Sequence, residues 1–350
     1  MKIAHIFSYL GEGGTEDHAI LLARKAKESG NDVLFVISDY SNFALKKLQD
    51  QNIKVIKLPM QSSFNPMAVL VSAIRLKRII TSEDIDVVHA HMLREQSIAI
   101  VAKMLGAGNV LIRSFHRFDQ FNWKMRPLMP VYRRYTDAFI SISLPMSDYL
   151  KRHGLTEKVH LIENGVEKVV VLGRGKALGF MGRLAKEKGI LDFIKSNVDI
   201  LRDTKLVIAG DGPDCENIKR VISDNNLKVQ MLGKVSNKAD FYKKVSVFVL
   251  PSSHEVLPLV VLESYSCGLP IVAFDLDLYK GLIDESNGFL IKPYDYEQMG
   301  IKALELLRKT DSYRKTNTTK YNQKYSADIM WAKTIEVYKT SLDERCNMLK

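Results

Sequence analysis

Cysteine is scarce. The 350 residues hold three, Cys215, Cys267 and Cys346, at spacings that fit neither a zinc motif nor an even disulfide framework. A disulfide-stapled secreted scaffold is thereby excluded, and a reducing, cytoplasmic setting is expected. Long apolar runs are missing too. No stretch reaches the ~18 consecutive apolar residues of a membrane span. The opening Met1-Lys2-Ile3-Ala4-His5-Ile6-Phe7-Ser8 is too short and too soon interrupted to read as a signal peptide. Any membrane contact is therefore expected to be peripheral, on the inner face. There is no low-complexity tract and no repeat of solenoid length. What the chain has in excess is positive charge: Lys+Arg 51 against Asp+Glu 40, a formal net charge of +11. Nucleotide phosphates, anionic lipid head groups and nucleic acid are all compatible with that surplus, as is a plain coat of solvated lysines.

The length suits two domains, each able to bury its own core. Short β-type runs alternate with amphipathic stretches: Lys2–Ser8, Asp32–Ile37, Lys54–Leu58, Ile85–His89, Val110–Arg113, Ala138–Ser143 and Val159–Ile162 read as strands. Between the first two, Thr15–Ser29 reads as a helix closed by Gly30. The pattern restarts with Ala177–Gly182, Lys205–Ala209, Val229–Leu232, Val245–Leu250 and Pro270–Ala273. A βαβα order predicts parallel sheets covered on both faces, so the fold class is α/β with two doubly wound, Rossmann-like domains facing across a cleft. The expected domains are 1–168 on the acceptor side and 174–325 on the donor side. The segment 326–350, with Ile329, Trp331, Ile335, Val337 and Tyr338, reads as a helix that either crosses back to the first domain or stays on the second.

The chemistry is concentrated after Val245–Leu250. Pro251-Ser252-Ser253-His254-Glu255 forms a loop ending in a carboxylate, Pro258 fits a first helical position, and Gly268 fits the stop. The opening turn of such a helix offers unpaired N–H groups to an anion. Glu263 stands among Val260, Val261, Leu262 and Tyr265, where a carboxylate is costly unless it is hydrogen bonded. Taken alone, two glutamates read sooner as a solvated loop residue and an exposed helix edge than as a ligand pair.

Their context is more specific. The run Ser252-Ser253-His254-Glu255 through Glu263 to Gly268-Leu269-Pro270 resembles the Glu-x7-Glu element of family 4 glycosyltransferases, which have the GT-B fold. Phe180-Met181-Gly182-Arg183 to Lys188-Gly189 resembles that family's phosphate-binding segment. Gly210-Asp211-Gly212-Pro213, Asn164-Gly165-Val166 and Gly13-Gly14-Thr15-Glu16 resemble further family segments in the family's order.

The resemblance implies a retaining enzyme that moves a hexose-type sugar from a nucleotide-sugar donor to a glycan or lipid-linked acceptor, in bacterial surface polysaccharide assembly. UDP is the first expectation for the nucleotide and GDP the second. Arg183 and Lys188 would hold the donor diphosphate, Glu263 the ribose and Glu255 the transferred sugar. Backbone N–H groups of Leu257 and Leu259 would face sugar or phosphate, and Gly13 and Gly14 would let backbone approach the diphosphate. His116 would lie near the acceptor and the reacting centre. The cations would replace a metal, so no cofactor is expected. His89 and His91 suggest a metal pair without an apparent third ligand and read as strand-end or acceptor-cleft residues. Asp275-Leu276-Asp277 reads as surface loop.

Residues 113–135 interleave Arg113, Arg117, Lys124, Arg126, Arg133 and Arg134 with Phe115, Phe118, Phe121, Trp123 and Tyr132. Such a mixture suits an anionic membrane surface or, equally, a helix with core aromatics. Nothing resembles a nucleic-acid module. The rivals are a GT-B sugar-nucleotide epimerase, a non-catalytic nucleotide-sugar-binding module, and a nicotinamide-dependent oxidoreductase. The last lacks the third glycine of its fingerprint, where Glu16 stands.

Overall fold

The structure, a computed structural model, describes residues 1–60, 65–116, 127–171, 173, 175–255 and 258–348, the side chain of 348 excepted. The chain divides into two compact units, Met1–Gly165 with Ala327–Lys350, and Val166–Ser326. The division falls at Gly165/Val166, so residues 166–168, expected in the first domain, belong to the second unit.

The first unit runs β1 (Lys2–Leu10), α1 (Gly14–Glu28), β2 (Asp32–Tyr40), α2 (Asn42–Asp50), β3 (Lys54–Lys57), α3 (Pro66–Ser82), β4 (Val87–Ala90), α4 (Leu93–Met104), β5 (Val110–Phe115), α5 (Met129–Tyr135), β6 (Ala138–Ser141), α6 (Leu144–Arg152) and β7 (Val159–Leu161). Its strands form a parallel sheet in the order β3-β2-β1-β4-β5-β6-β7. The central strands are apolar on both faces because helices cover both. Ala4, Ile6, Val88 and Leu111 face one core with Leu76 and Ile80 of α3. Ile3, Val87, Val110 and Ile112 face another. Helix starts carry their own caps: the Ser41 hydroxyl accepts from Ala44 N–H at 3.1 Å, and Asn65, followed by Pro66, accepts from Met67 N–H at 3.0 Å.

The second unit runs β8 (Ala177–Met181), α7 (Ile190–Ser196), α8 (Val198–Asp203), β9 (Leu206–Ala209), α9 (Cys215–Asp224), β10 (Val229–Met231), α10 (Ala239–Tyr242), β11 (Val245–Leu250), α11 (Leu259–Ser266), β12 (Ile271–Phe274), β13 (Gly288–Ile291), α12 (Tyr296–Arg308) and α13 (Thr310–Lys320). These strands are also parallel, in the order β10-β9-β8-β11-β12-β13. The order reverses between β8 and β11, and a crevice opens there beyond the strand ends. β13 is an addition to the strands expected from the sequence. It pairs with β12 from Ile271↔Gly288, where a side chain on Gly288 would come within 2.1 Å of the Ile271 carbonyl oxygen.

The last helix, α14 (Ala327–Met348), packs on the first unit. Met330, Trp331, Val337 and Tyr338 join the core of Ile3, Val87, Val110 and Ile112. The Trp331 indole donates to Ser29 Oγ at 2.7 Å, and Asp328 pairs with Lys25 at 2.8 Å. Among the described residues, no helix is long and apolar enough to cross a membrane.

Candidate active site

In the second unit, the residues of interest cluster at the reversal between β8 and β11. Arg183 leaves β8 on a loop that is clamped from the side. Leu184 N–H donates to the Asp211 carbonyl, and Asp214 N–H donates to the Leu184 carbonyl, both at 2.9 Å. Gly210 and Gly212 have positive φ, and a Cβ on them would sit 1.8 Å from the Gly182 carbonyl oxygen and 2.3 Å from that of Leu184. Only glycine lets these two backbones approach so closely. The Arg183 side chain is exposed and has no ion pair or hydrogen bond to another described residue.

A 3₁₀ turn at Lys186–Lys188 follows and ends at Gly189, whose φ is +67°. A Cβ at Gly189 would lie 2.2 Å from the Pro251 carbonyl oxygen, so this turn and the loop after β11 touch backbone to backbone. Ser253 ties them further, its N–H and hydroxyl both donating to the Glu187 carbonyl. The result is a half-buried ion pair between Lys188 Nζ and Glu255 Oε1. Two residues to which the sequence gives separate roles are thus partners. Ser252 lies fully buried in the same loop, and its Oγ has no partner among the described residues.

Glu263 lies on α11 with 3% exposure. One carboxylate oxygen is paired with Lys238 Nζ, and the other accepts from the Tyr242 hydroxyl at 3.1 Å. The protein itself therefore meets the cost of burying this charge; ribose hydroxyls are not needed for that. Lys238 and Tyr242 come from the α10 region and were not singled out in the sequence, which offers no signal for them beyond the requirement that Glu263 have partners. The same carboxylate and burial push the Tyr242 phenol well above its ordinary range, burial foremost, so it remains a donor.

The start of α11 corrects one expectation. Pro258 has φ −73° and ψ 119° and is the cap itself, with Leu259 first in the helix. No side chain caps this end, and Leu259 is half-buried, so its N–H belongs to an uncapped first turn. Leu257, expected to offer a second N–H, lies outside the described residues. Asp275 and Asp277 are exposed, and Asp277 pairs with Lys280 at 2.6 Å, consistent with surface loop.

In the first unit, Gly13 caps α1 with extended backbone and Gly14 is its first residue, both after β1. A side chain at Gly13 would meet the Glu16 carboxylate at 2.7 Å. Close by in the fold, five buried histidines gather: His5 on β1, His18 on α1, His89 on β4, His91 after it and His116 after β5. His5 Nδ1 is 3.0 Å from His91 Nε2, and His91 Nδ1 is 3.2 Å from His116 Nε2. His89 bonds Tyr338 of α14 at 2.6 Å and Ser114 at 2.8 Å. His18 meets the His116 ring edge-on at 5.0 Å.

His5 supplies the third ligand absent from the sequence reading, since ring nitrogens of His5, His89 and His91 fall within 4.8 Å of one another. The geometry nonetheless suits a hydrogen-bonded stack. The His89 and His91 rings lie 4.3 Å apart and 22° from parallel, so their in-plane lone pairs do not converge, and both nitrogens of each are already bonded. Burial drives every one of these imidazoles down, His5 to about 3 and His18 to about 4, and His89, His91 and His116 well below the usual value. They are neutral at physiological pH, and His116 is an interior residue at 5% exposure.

The stretch 113–135 is only partly a surface. Arg113, Phe115 and Tyr132 are buried, Arg113 against the Phe115 ring at 4.8 Å. Burial lowers the Arg113 guanidinium to about 9, opposed by Glu95. Arg133 and Arg134 are exposed. Arg117, Phe118, Phe121, Trp123, Lys124 and Arg126 lie outside the described residues. Arg134 lies over the half-buried Tyr135 ring at 5.9 Å.

Residues 166–323 match the family described as Glycosyl transferases group 1, and residues 12–168 match Glycosyltransferase Family 4. The chain belongs to the group 1, family 4 glycosyltransferases. It is a glycosyltransferase with the GT-B fold. It is 27% identical to an uncharacterized glycosyltransferase of Methanocaldococcus jannaschii, over 92% of each chain. It is 26% identical to the GalNAc-alpha-(1->4)-GalNAc-alpha-(1->3)-diNAcBac-PP-undecaprenol alpha-1,4-N-acetyl-D-galactosaminyltransferase of Campylobacter jejuni, over 90% of this chain and 91% of that one. Among solved structures, Anabaena HepE in complex with UDP superposes with a TM-score of 0.82 at 17% identity, over 97% of this glycosyltransferase and 100% of HepE.

Proposed function

We propose that this glycosyltransferase moves a hexose-type sugar, with retention, from a UDP-sugar to a lipid-linked or glycan acceptor in bacterial surface polysaccharide assembly. A GDP-sugar is the second candidate donor. The observation that carries the donor half is the ion pair of Lys188, on the β8 loop that also bears Arg183, with Glu255, on the β11 loop that leads to the uncapped start of α11, at the strand reversal of one sheet. A solved relative of the same fold holds UDP and glucose, and the Campylobacter relative is named for a PP-undecaprenol acceptor.

In this reading Arg183 and Lys188 stabilise the charge that grows on the leaving diphosphate, the task a metal performs elsewhere. Arginine suits it because its planar fork meets phosphate oxygens in pairs. Glu255 holds Lys188 in place until a diphosphate shares the ammonium, and its carboxylate orients the sugar. Glu263, fixed by Lys238 and Tyr242, presents its remaining lone pairs to the ribose. His116, neutral and bonded to His91, serves the acceptor side. The acceptor hydroxyl attacks on the face the diphosphate leaves and passes its proton to a phosphate oxygen.

Titration calorimetry of UDP and GDP into the wild type and Arg183→Ala tests the donor half. UDP binding that weakens about tenfold or more in the variant supports it, at ~1.5–3 kcal/mol for a charge-assisted contact. A wild type that binds neither nucleotide at millimolar concentration overturns it. Transfer from radiolabelled UDP-sugars into a bacterial lipid extract tests the acceptor half, and epimerised donor without transfer would overturn it.

A further inference from the structure

Three of the buried histidines form one hydrogen-bonded chain. His5 Nδ1 meets His91 Nε2 at 3.0 Å, and His91 Nδ1 meets His116 Nε2 at 3.2 Å. The middle ring is stacked on two neighbours, His89 at 4.3 Å and Phe7 at 4.7 Å, 22° and 13° from parallel. His5 lies on Phe35 at 5.2 Å, and His18 stands edge-on to His116 at 5.0 Å. In so dense a packing a ring turns over only by displacing its neighbours, so each nitrogen keeps its direction. His91 and His116 follow β4 and β5 directly, at the carboxyl end of the sheet, where doubly wound folds bind their ligands.

A neutral imidazole has one N–H and one bare nitrogen. Burial, foremost, drives all three rings to the neutral form. Their protons are therefore not independent. If His116 donates from Nε2, His91 must accept at Nδ1 and donate from Nε2, and His5 must accept at Nδ1. All three rings then carry the proton on Nε2. In the opposite sense all three carry it on Nδ1. A mixed state places two protons, or none, between one pair of rings and leaves buried nitrogens unsatisfied. With Nε2 given to His91, Nδ1 is the nitrogen with which His116 meets an acceptor.

We propose that His91 and His5 are positioning residues for His116: the three rings share one tautomer, and its sense decides whether His116 Nδ1 donates to or accepts from a hydroxyl of the acceptor. A hydroxyl both donates and accepts, so it is matched by either sense. The inference rests on the reading of His116 as an acceptor-side residue. It is separate from the donor residues of the second unit.

The test is long-range proton–nitrogen correlation spectroscopy of the full chain, labelled with nitrogen-15 histidine and held above pH 7, where protonated and bare ring nitrogens resonate far apart. The expected result is the same protonated nitrogen on His5, His91 and His116. His5→Phe, made two rings away, shifts the His116 signals, and His91→Phe shifts them further. His91→Asn, whose amide reaches the place of Nδ1, restores part of the wild-type pattern. In transfer from a UDP-sugar to a bacterial lipid extract, His91→Phe lowers kcat/KM for the extract by about tenfold to a hundredfold, as loss of orientation at a reacting centre does. His91→Asn regains part of that loss, and UDP affinity by calorimetry stays unchanged in both. The wild-type spectrum needs no variant, and urea unfolding curves identify the variants that fold. Unlike tautomers among the three rings, a zinc ion retained by the purified chain, or His116 signals unmoved by His91→Phe would each overturn the inference. So would undiminished transfer in His91→Phe beside a loss in His116→Gln. Undiminished transfer in His116→Gln itself would instead overturn the acceptor-side reading of His116, and the inference with it.

Discussion

Acid should unfold the first unit well before it disturbs the second. The perturbation is a fall from pH 7 to pH 5, and the reporters are the buried histidines. In the unfolded chain each takes a proton near 6.5; in the fold His5 does so at about 3 and His18 at about 4. The unfolded state therefore binds more protons in that window, so their contribution is fully present above ~6.5 and drains away as pH falls. Each histidine costs about 2 kcal/mol between pH 7 and pH 5, so the pair removes about 4 kcal/mol. His89, His91 and His116, also lowered by burial, act in the same direction. Against a domain stability of about 5–15 kcal/mol, this is a large loss. Of the eight histidines only His254 falls in the second unit, while both tryptophans, Trp123 and Trp331, fall in the first. Urea unfolding followed by tryptophan fluorescence therefore reads the affected unit. A stability at pH 5 within about 1 kcal/mol of that at pH 7 would refute the neutral buried stack.

Further outcomes concern the second unit. Lys188→Met should weaken UDP binding by about tenfold to a hundredfold, since it removes a charge-assisted contact worth ~1.5–3 kcal/mol, which calorimetry reads directly. Gly189→Ala should lower the second unit's melting temperature and UDP affinity together. Its φ of +67° costs a side chain about 1–2 kcal/mol before any displacement of Pro251. Lys238→Met leaves buried Glu263 with Tyr242 as its remaining named partner. Because the lysine is itself partly exposed, the loss should be about 2 kcal/mol rather than the larger figure for a fully buried pair. Tyr242→Phe should cost about 1–3 kcal/mol and couple non-additively with Lys238→Met in a double-mutant cycle by urea unfolding.

The alternation of apolar strand and amphipathic helix carried most of the architecture, because period and turn chemistry are local. β13 escaped because Gly288-Phe289-Leu290-Ile291 is short and opens on a glycine, and its need for glycine comes from β12 across the sheet. The donor-side residues were legible as motifs, but not their pairings. Lys188 with Glu255, and Glu263 with Lys238 and Tyr242, are long-range contacts made by loops that converge where strand order reverses. The histidine stack draws on residues from 5 to 116 for the same reason. Composition does not say which way a side chain points: Arg113 and Phe115, named with the basic-aromatic stretch, sit on β5, a central parallel strand with both faces covered.

Helix α14 gives the chain an order of completion. As the polypeptide emerges from a ribosome, the second unit has all its parts once Ser326 is out, and it can close as a body. The first unit began earlier but must wait, because Trp331 and Tyr338 fill its core and Tyr338 holds His89. The domain synthesised first is thus the domain finished last. A chain cut after Ser326 would release one finished half and leave the other with an open apolar face, exposed to chaperones or to aggregation.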